Sequence, residues 1–334
     1  MMKQVAAALA ATAFLAVGVA QAQAGTSATA GSVAQTLAGC PSMPINDLFT
    51  EFGRTGRPSI ALANWLDDPV AQAVEPYKAF DNVYYVGICW VSAWIIKTDD
   101  GLVLIDTLYG PFTDKLVENI RKLGFDLSDI KLVLLTHGHH DHVGGVAKLK
   151  KMMNAKFVMT RKGWDEAIAD AKKSNGKPNA WTMPPAADIV ARDGDILTLG
   201  GTKISVFETP GHTWGTASYA VDVKDDDKTY RGITVGGLGL NAIDGPAQVE
   251  AYIKSIDRLK ALVNSQSNPV SVHLTMHPFS TGLTEAKEQL RTRQPGQPHP
   301  LVDQGGLNAQ LDLLRERAVL RLAQEQTRSG QTGQ

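Results

Sequence analysis

The sequence predicts an α+β protein in four layers, two sheets packed face to face with helices on the outside. Three observations carry that reading. Strands followed by helices and strands occur twice along the chain, once before Thr160 and again from Ile196, an approximate repeat rather than the steady strand-helix alternation of a doubly wound sheet. The first passage holds a single βαβ unit, and histidines recur at the ends of strands in both passages. Two such halves packed sheet to sheet bring those strand ends to one edge.

Taken in order, the first half opens on a meander. Val83–Val86, Ala93–Ile96 and Leu102–Ile105 are short apolar runs, the last two joined by the turn Asp99-Asp100-Gly101. Leu116, Ile120 and Leu123 fall at helical spacing, so Thr113–Leu123 reads as a helix stopped by Gly124. Ile130–Leu135 is a strand, Val146–Met153 a helix and Lys156–Thr160 a strand, which together make the βαβ unit. The polar passage Arg161–Asp188, with Trp164, Trp181, Pro184 and Pro185, reads as a helix-loop excursion bordering a site.

The second half begins with a hairpin, Ile196–Leu199 and Lys203–Glu208 around Gly200-Gly201. A second hairpin follows, Ser218–Val223 and Tyr230–Val235. Gln248–Leu262 is a helix by the spacing of Tyr252, Ile256, Leu259 and Leu262, and Val270–Thr275 is a strand. After a Pro/Gly-rich passage, Leu307–Gln324 is an amphipathic closing helix. Residues 326–334 lack apolar side chains and are expected to be disordered.

The ends speak to location. Lys3 precedes an apolar, alanine-rich run from Val5 to Ala20, and small residues at Ala20, Ala22 and Ala24 follow at signal-peptidase spacing. The expectation is a signal peptide over 1–24, cleaved after Ala22 or Ala24, then an N-terminal segment over 25–64 and one domain over 65–325. The apolar run is shorter than the roughly 20 residues a membrane span needs. The mature chain is therefore expected to be periplasmic or secreted, with no membrane attachment after cleavage. Cys40 and Cys89 are the only cysteines, and in an exported chain an even pair is a candidate disulfide, two buried thiols being the alternative. Closing a loop of that size contributes roughly 4 kcal/mol in the chain-entropy picture. A net charge of −1 and a pI near 6.7 leave no nucleic-acid footprint, so the expected partner is a small molecule.

The chemistry concentrates in Thr136-His137-Gly138-His139-His140-Asp141-His142-Val143-Gly144-Gly145. Imidazole and carboxylate are ligands for zinc-like ions, and four of them within six residues exceed what one open site uses. His137 and His139, two apart, share a face of an extended segment and suit one ion; Asp141 and His142 suit a second where the chain turns. Two ions need further ligands. His212, in Thr209-Pro210-Gly211-His212-Thr213, and His277, before Pro278, both follow strands. Asp106, at another strand end, is a candidate for fixing a ligand imidazole, with a turn-capping role as its equal. His140 reads as a loop filler, and His273 and His299 as surface or strand histidines.

Together, His137-x-His139-x-Asp141-His142, the Pro-Gly-His212-Thr turn and His277-Pro278 resemble the metallo-β-lactamase superfamily, and more closely its class B, subclass 3 enzymes, over Trp65–Gln324. The resemblance implies an αββα sandwich with two zinc ions on its edge. The first would take His137, His139 and His212, and the second Asp141, His142 and His277. A bridging hydroxide, its pKa lowered toward about 7 by ions roughly 3.5–4 Å apart, would be the nucleophile. Asp141 would orient it as the catalytic residue.

Within that superfamily, lactonases and glyoxalase-II-like thioesterases add a bridging Asp after the Pro-Gly-His turn. Here that stretch reads Thr234-Val235-Gly236-Gly237-Leu238-Gly239-Leu240-Asn241, with no Asp; Asp244 lies just beyond. The resemblance therefore favours opening of a β-lactam antibiotic over hydrolysis of another amide, lactone or thioester, or a non-catalytic metal-binding role. Subclass 3 enzymes place Ser or Thr hydroxyls near Gly237 and Gly239 to bind the substrate carboxylate. Asn241 and the backbone amides of the two glycines are the candidate substitutes.

Overall fold

A computed structural model describes residues 36–55, 57–177 and 179–332. The expected leader, over 1–24, lies outside them. No described helix is long and apolar enough to cross a membrane.

Ahead of the first sheet lie two helices, α1 (Ser42–Thr55) and α2 (Ile60–Leu66). That sheet has seven strands in sequence order, β1 (Tyr77–Phe80), β2 (Val83–Tyr85), β3 (Trp94–Thr98), β4 (Gly101–Ile105), β5 (Ile130–Leu134), β6 (Lys156–Thr160) and β7 (Ile189–Ala191). β1 to β4 are antiparallel, and β4 to β7 run parallel. The parallel pairs need crossovers. These are α3 (Phe112–Lys122) between β4 and β5, α4 (His140–Val143) with α5 (Val146–Met152) between β5 and β6, and α6 (Arg161–Ser174) between β6 and β7. α3 buries the expected Leu116 and Ile120 together with Phe112 and Val117, while Leu123, the third residue of the expected stripe, is half-buried at its C-cap.

The second sheet has the order β12-β11-β10-β9-β8, from β8 (Ile196–Leu199), β9 (Thr202–Glu208), β10 (Ala217–Asp225), β11 (Lys228–Thr234) and β12 (Val270–His273). Its outer helices are α7 (Pro246–Val263) and, after α8 (Leu283–Thr292), the long α9 (Gln304–Thr332). α9 buries Leu307, Leu311, Leu314 and Ala318 against the Tyr252–Ile256–Leu259 stripe of α7. The closing helix thus runs past Gln324 to Thr332, where disorder was expected from Gln326. The last turns propagate a helix already nucleated on its packed face further back, at one backbone bond per residue, and residues 333–334 lie outside the described ones.

Between the sheets sits a core of Trp94, Ile96, Val103, Ile105 and Leu134 facing Ile204, Val206, Tyr219, Val221 and Val272. Trp94 is fully buried and its indole N–H donates to Thr275 O at 3.1 Å. A separate cluster seats α3, α5 and α6 on the outer face of the first sheet. The four layers are helices, sheet, sheet and helices, as the repeat predicts.

Cys40 and Cys89 form a disulfide, their Cα atoms 5.4 Å apart. It joins the N-terminal helices to the loop before Trp90. Ile45, Leu62 and Trp65 pack there with Phe279 and Cys89, and Asn46 donates to Phe279 O at 2.9 Å.

Candidate metal centre

The centre is built on the hydrogen bonding of Asp106. β4 and β5 are parallel neighbours, so the residues just beyond them lie side by side, and Asp106 N donates to Leu134 O at 2.9 Å. Asp106 is fully buried with φ 60°, a left-handed conformation that Asp tolerates better than most residues. Its Oδ1 accepts from Thr136 N, and its Oδ2 from Thr136 Oγ1 and His142 Nδ1, at 2.8, 2.8 and 2.7 Å. Thr136 Oγ1, having given its proton to Asp106, accepts from His137 Nδ1 at 3.0 Å. One carboxylate thereby orients His142 directly and His137 through Thr136.

The same device recurs on the second sheet's ligand candidates. His212 Nδ1 donates to Gly239 O at 2.7 Å, and His277 Nδ1 to Trp90 O at 2.8 Å. With Nδ1 committed as donor in each of these four rings, Nε2 is the nitrogen left to face the interior. His137 Nε2 and His212 Nε2 lie 3.1 and 3.0 Å from His139 Nδ1. Three imidazoles whose nitrogens converge in this way suit a cation better than a shared proton. Beside them His142 Nε2 is buried with no hydrogen-bond partner, 3.2 Å from an Asp141 oxygen that is 4.0 Å from His277 Nε2.

His137, His139 and His212 therefore form one group able to hold a metal ion, and Asp141, His142 and His277 another, the ligand atoms of each lying within 4.8 Å of one another. The groups adjoin, the His137 and His142 rings being 4.2 Å apart. The donor chemistry, nitrogen-rich with one carboxylate, fits zinc-like ions. Each group takes ligands from both halves of the chain, with Ala217 N to Thr136 O at 2.8 Å fastening the two sheets beside them.

Electrostatics agree with that role. Burial pushes His137 well below the ordinary imidazole value, His212 down to about 3 and His277 down to about 4, so each is a neutral ligand at pH 7. Burial opposes charge on Asp141 too, but His142 and the neighbouring imidazoles outweigh it and keep the carboxyl ionised. His142 differs: burial works against its proton, but Asp141 and Asp106 prevail and push the imidazole up to about 10, so a metal ion binding there displaces a proton from Nε2.

The other candidates fall out as follows. The His140 ring sits between Tyr109 at 4.9 Å and Trp181 at 5.2 Å and joins neither group, so the polar excursion does border the centre through Trp181. His273 is a strand residue, the last of β12. His299 is no surface residue: it is buried, stacks on Phe80 at 4.0 Å and donates from Nε2 to Ala79 O at 2.9 Å. Asp244 is exposed and belongs to neither group.

The two glycines expected to meet substrate through their amides also lie against His212. A Cβ on Gly237 would lie 2.4–2.5 Å from three atoms of His212, and Gly239 supplies the carbonyl that holds its Nδ1. A Cβ on Gly239 would meet Asn241 Oδ1 at 2.3 Å, while Asn241 itself is exposed. Sequence reasoning missed the Trp90 and Gly239 carbonyls, because backbone acceptors carry no side-chain signature. It also missed Thr136, which directly precedes the histidine motif.

Comparison with known proteins agrees with this geometry. Residues 86–226 match the Metallo-beta-lactamase superfamily. Hydroxyacylglutathione hydrolase of Rhodopseudomonas palustris (strain BisB5) is 31% identical over 197 residues, 56% of this chain and 69% of that one. The enzyme of the same name from strain BisB18 is 31% identical over 133 residues, 40% of this chain and 44% of that one. Among solved structures, the subclass B3 metallo-beta-lactamase of Bradyrhizobium japonicum superposes with a TM-score of 0.66 at 29% identity, covering 77% of this chain and 96% of its own. The native metallo-beta-lactamase of Legionella gormanii gives 0.68 at 27%, covering 77% and 98%.

Proposed function

Because the chain belongs to the metallo-β-lactamase superfamily, we propose that it is an exported, zinc-dependent hydrolase that opens the ring of β-lactam antibiotics. The observation that carries the reading is the six-residue donor set, His137, His139 and His212 beside Asp141, His142 and His277, with Asp244 outside it. Similarity to two β-lactamases over nearly their whole lengths supports it. The Cys40–Cys89 disulfide and the leader-like N-terminus support export.

Zinc, when bound by these two groups, supplies Lewis acidity that lowers the pKa of water and polarises a carbonyl. The residues do the rest. Asp106 and the Trp90 and Gly239 carbonyls fix the ring orientations, so little reorganisation is left for the reaction. Asp141, an ionised carboxylate at the centre, is placed to orient the attacking water by accepting a hydrogen bond from it. Tyr109, His140 and Trp181 form an aromatic flank beside it.

A second reading, thioester hydrolysis, is favoured by the similarity to hydroxyacylglutathione hydrolases. Zinc-loaded protein assayed against penicillins, cephalosporins and carbapenems, and against a glutathione thioester and simple lactones, separates the two. Turnover of the β-lactams supports the proposal. Cleavage of the thioester or lactones alone overturns it in favour of the second reading.

A further inference from the structure

We infer that Glu166 is a positioning residue that sets the geometry of the His137–His139–His212 group without touching a ligand atom, an inference that rests on the metal-centre reading. Its carboxylate reaches across from α6 to the turn that follows His212. Oε1 accepts from Trp214 N and Oε2 from Gly215 N, both at 2.9 Å. Two consecutive amides on one carboxylate fix the direction of that turn, because both donors must point at one planar group. Thr160, the N-cap of α6, completes the grip by donating from Oγ1 to Gly215 O at 2.6 Å.

The same turn of α6 is wedged against the other limb of the group. A Cβ on Gly215 would stand 1.9 Å from Gly163 N, so the His212 turn lies directly on the helix backbone. A Cβ on Gly138, the residue between His137 and His139, would stand 2.8 Å from Gly163 O, 2.9 Å from Ala167 N and 3.2 Å from Glu166 Cβ. Both limbs therefore reach α6 at glycines, with Gly163 between them and Glu166 one turn further on. The helix acts as a spacer, and Glu166 keeps the His212 limb seated on it. The 3.0 Å between His212 Nε2 and His139 Nδ1 depends on that spacing. The helix α4, which carries Asp141 and His142, also packs on α6, but Glu166's two bonds go to the His212 turn, and His142 and His277 are held instead by Asp106 and the Trp90 carbonyl.

The consequence is selective: loss of Glu166 weakens one ion and spares the other. Stepwise uptake of Zn2+ by the metal-free full chain, measured by competition with a chromophoric chelator, reads the two affinities. The variants are Glu166→Ala, which removes both acceptors, and Glu166→Gln, which keeps one. His212→Ala identifies the step that belongs to its group. The expected result is at least a tenfold loss at that step for Glu166→Ala, a smaller loss for Glu166→Gln and no change at the other step. In the His212→Ala background, Glu166→Ala adds nothing. Unchanged affinities, or equal losses at both steps, overturn the inference while leaving the metal centre intact. Wild-type protein that takes up no metal overturns the metal-centre reading and this inference with it.

Discussion

At Asp106 a buried carboxylate accepts three hydrogen bonds, and its hold on His142 Nδ1 makes it sensitive to a single-atom change. Asp106→Asn keeps the shape and tolerates the left-handed backbone, but sets an NH2 where two donors now share an acceptor. The expected outcome is about a 10- to 100-fold loss of metal affinity, measured by chelator competition, with most of the fold retained by circular dichroism. Gly237 leads to a less intuitive expectation. Restoring the serine that the resemblance leads one to expect there should not improve β-lactam binding, because its Cβ would collide with His212. Gly237→Ser should lower turnover at least about tenfold, and a fall in KM with kcat preserved would refute that account.

The elements differ in how plainly the sequence announces them. The β3–β4 hairpin was legible because Asp99-Asp100-Gly101 separates two alternating runs, and all six ligand candidates were legible because their spacing and strand-end positions are chemical signatures. β1 and β7 were not, since Tyr77–Phe80 and Ile189–Ala191 are too short to display a period. α8 was missed because Leu283 is its one buried residue, so it has no stripe. α1 did carry a stripe, Ile45, Leu48, Phe49 and Phe52, that went unread. That helix stands on the disulfide. Replacing Cys40 and Cys89 by Ser should cost roughly 3–4 kcal/mol in chemical denaturation, and an unchanged midpoint would exclude the role. The link from the end of α8 to the second sheet has a pH signature. Arg293 donates from two nitrogens to Asp225, 2.7 Å each, and holds that carboxyl below its ordinary 3.8. The pair's contribution is complete above about pH 4 and is lost as the pH falls through the depressed value. The stability gap between wild type and Arg293→Met should therefore shrink from pH 5 to pH 2.5.

For the whole molecule the decisive fact is that both metal groups draw on both halves of the sandwich. Ions bound there stabilise the folded chain alone, by about 4 kcal/mol per site at a thousandfold excess over Kd. Removal by chelation should lower Tm by roughly 10 °C with little change in far-ultraviolet circular dichroism, and a Tm indifferent to metal would count against the centre. The four-layer architecture itself was visible in the repeat of strands and helices, because burial pattern decides layers. The contacts that tie the layers together at the centre were not, since Ala217 N to Thr136 O and the Trp90 carbonyl are main-chain groups.

The division of ligands also orders events during synthesis. Four of the six are present once residue 142 has been made, yet neither group is complete at that stage. The first closes only when His212 arrives and the second only when His277 does, after all five strands of the second sheet have been made. A truncated or stalled chain would carry the whole histidine motif without either finished pocket, and the centre would assemble last, on a molecule whose two halves have already met.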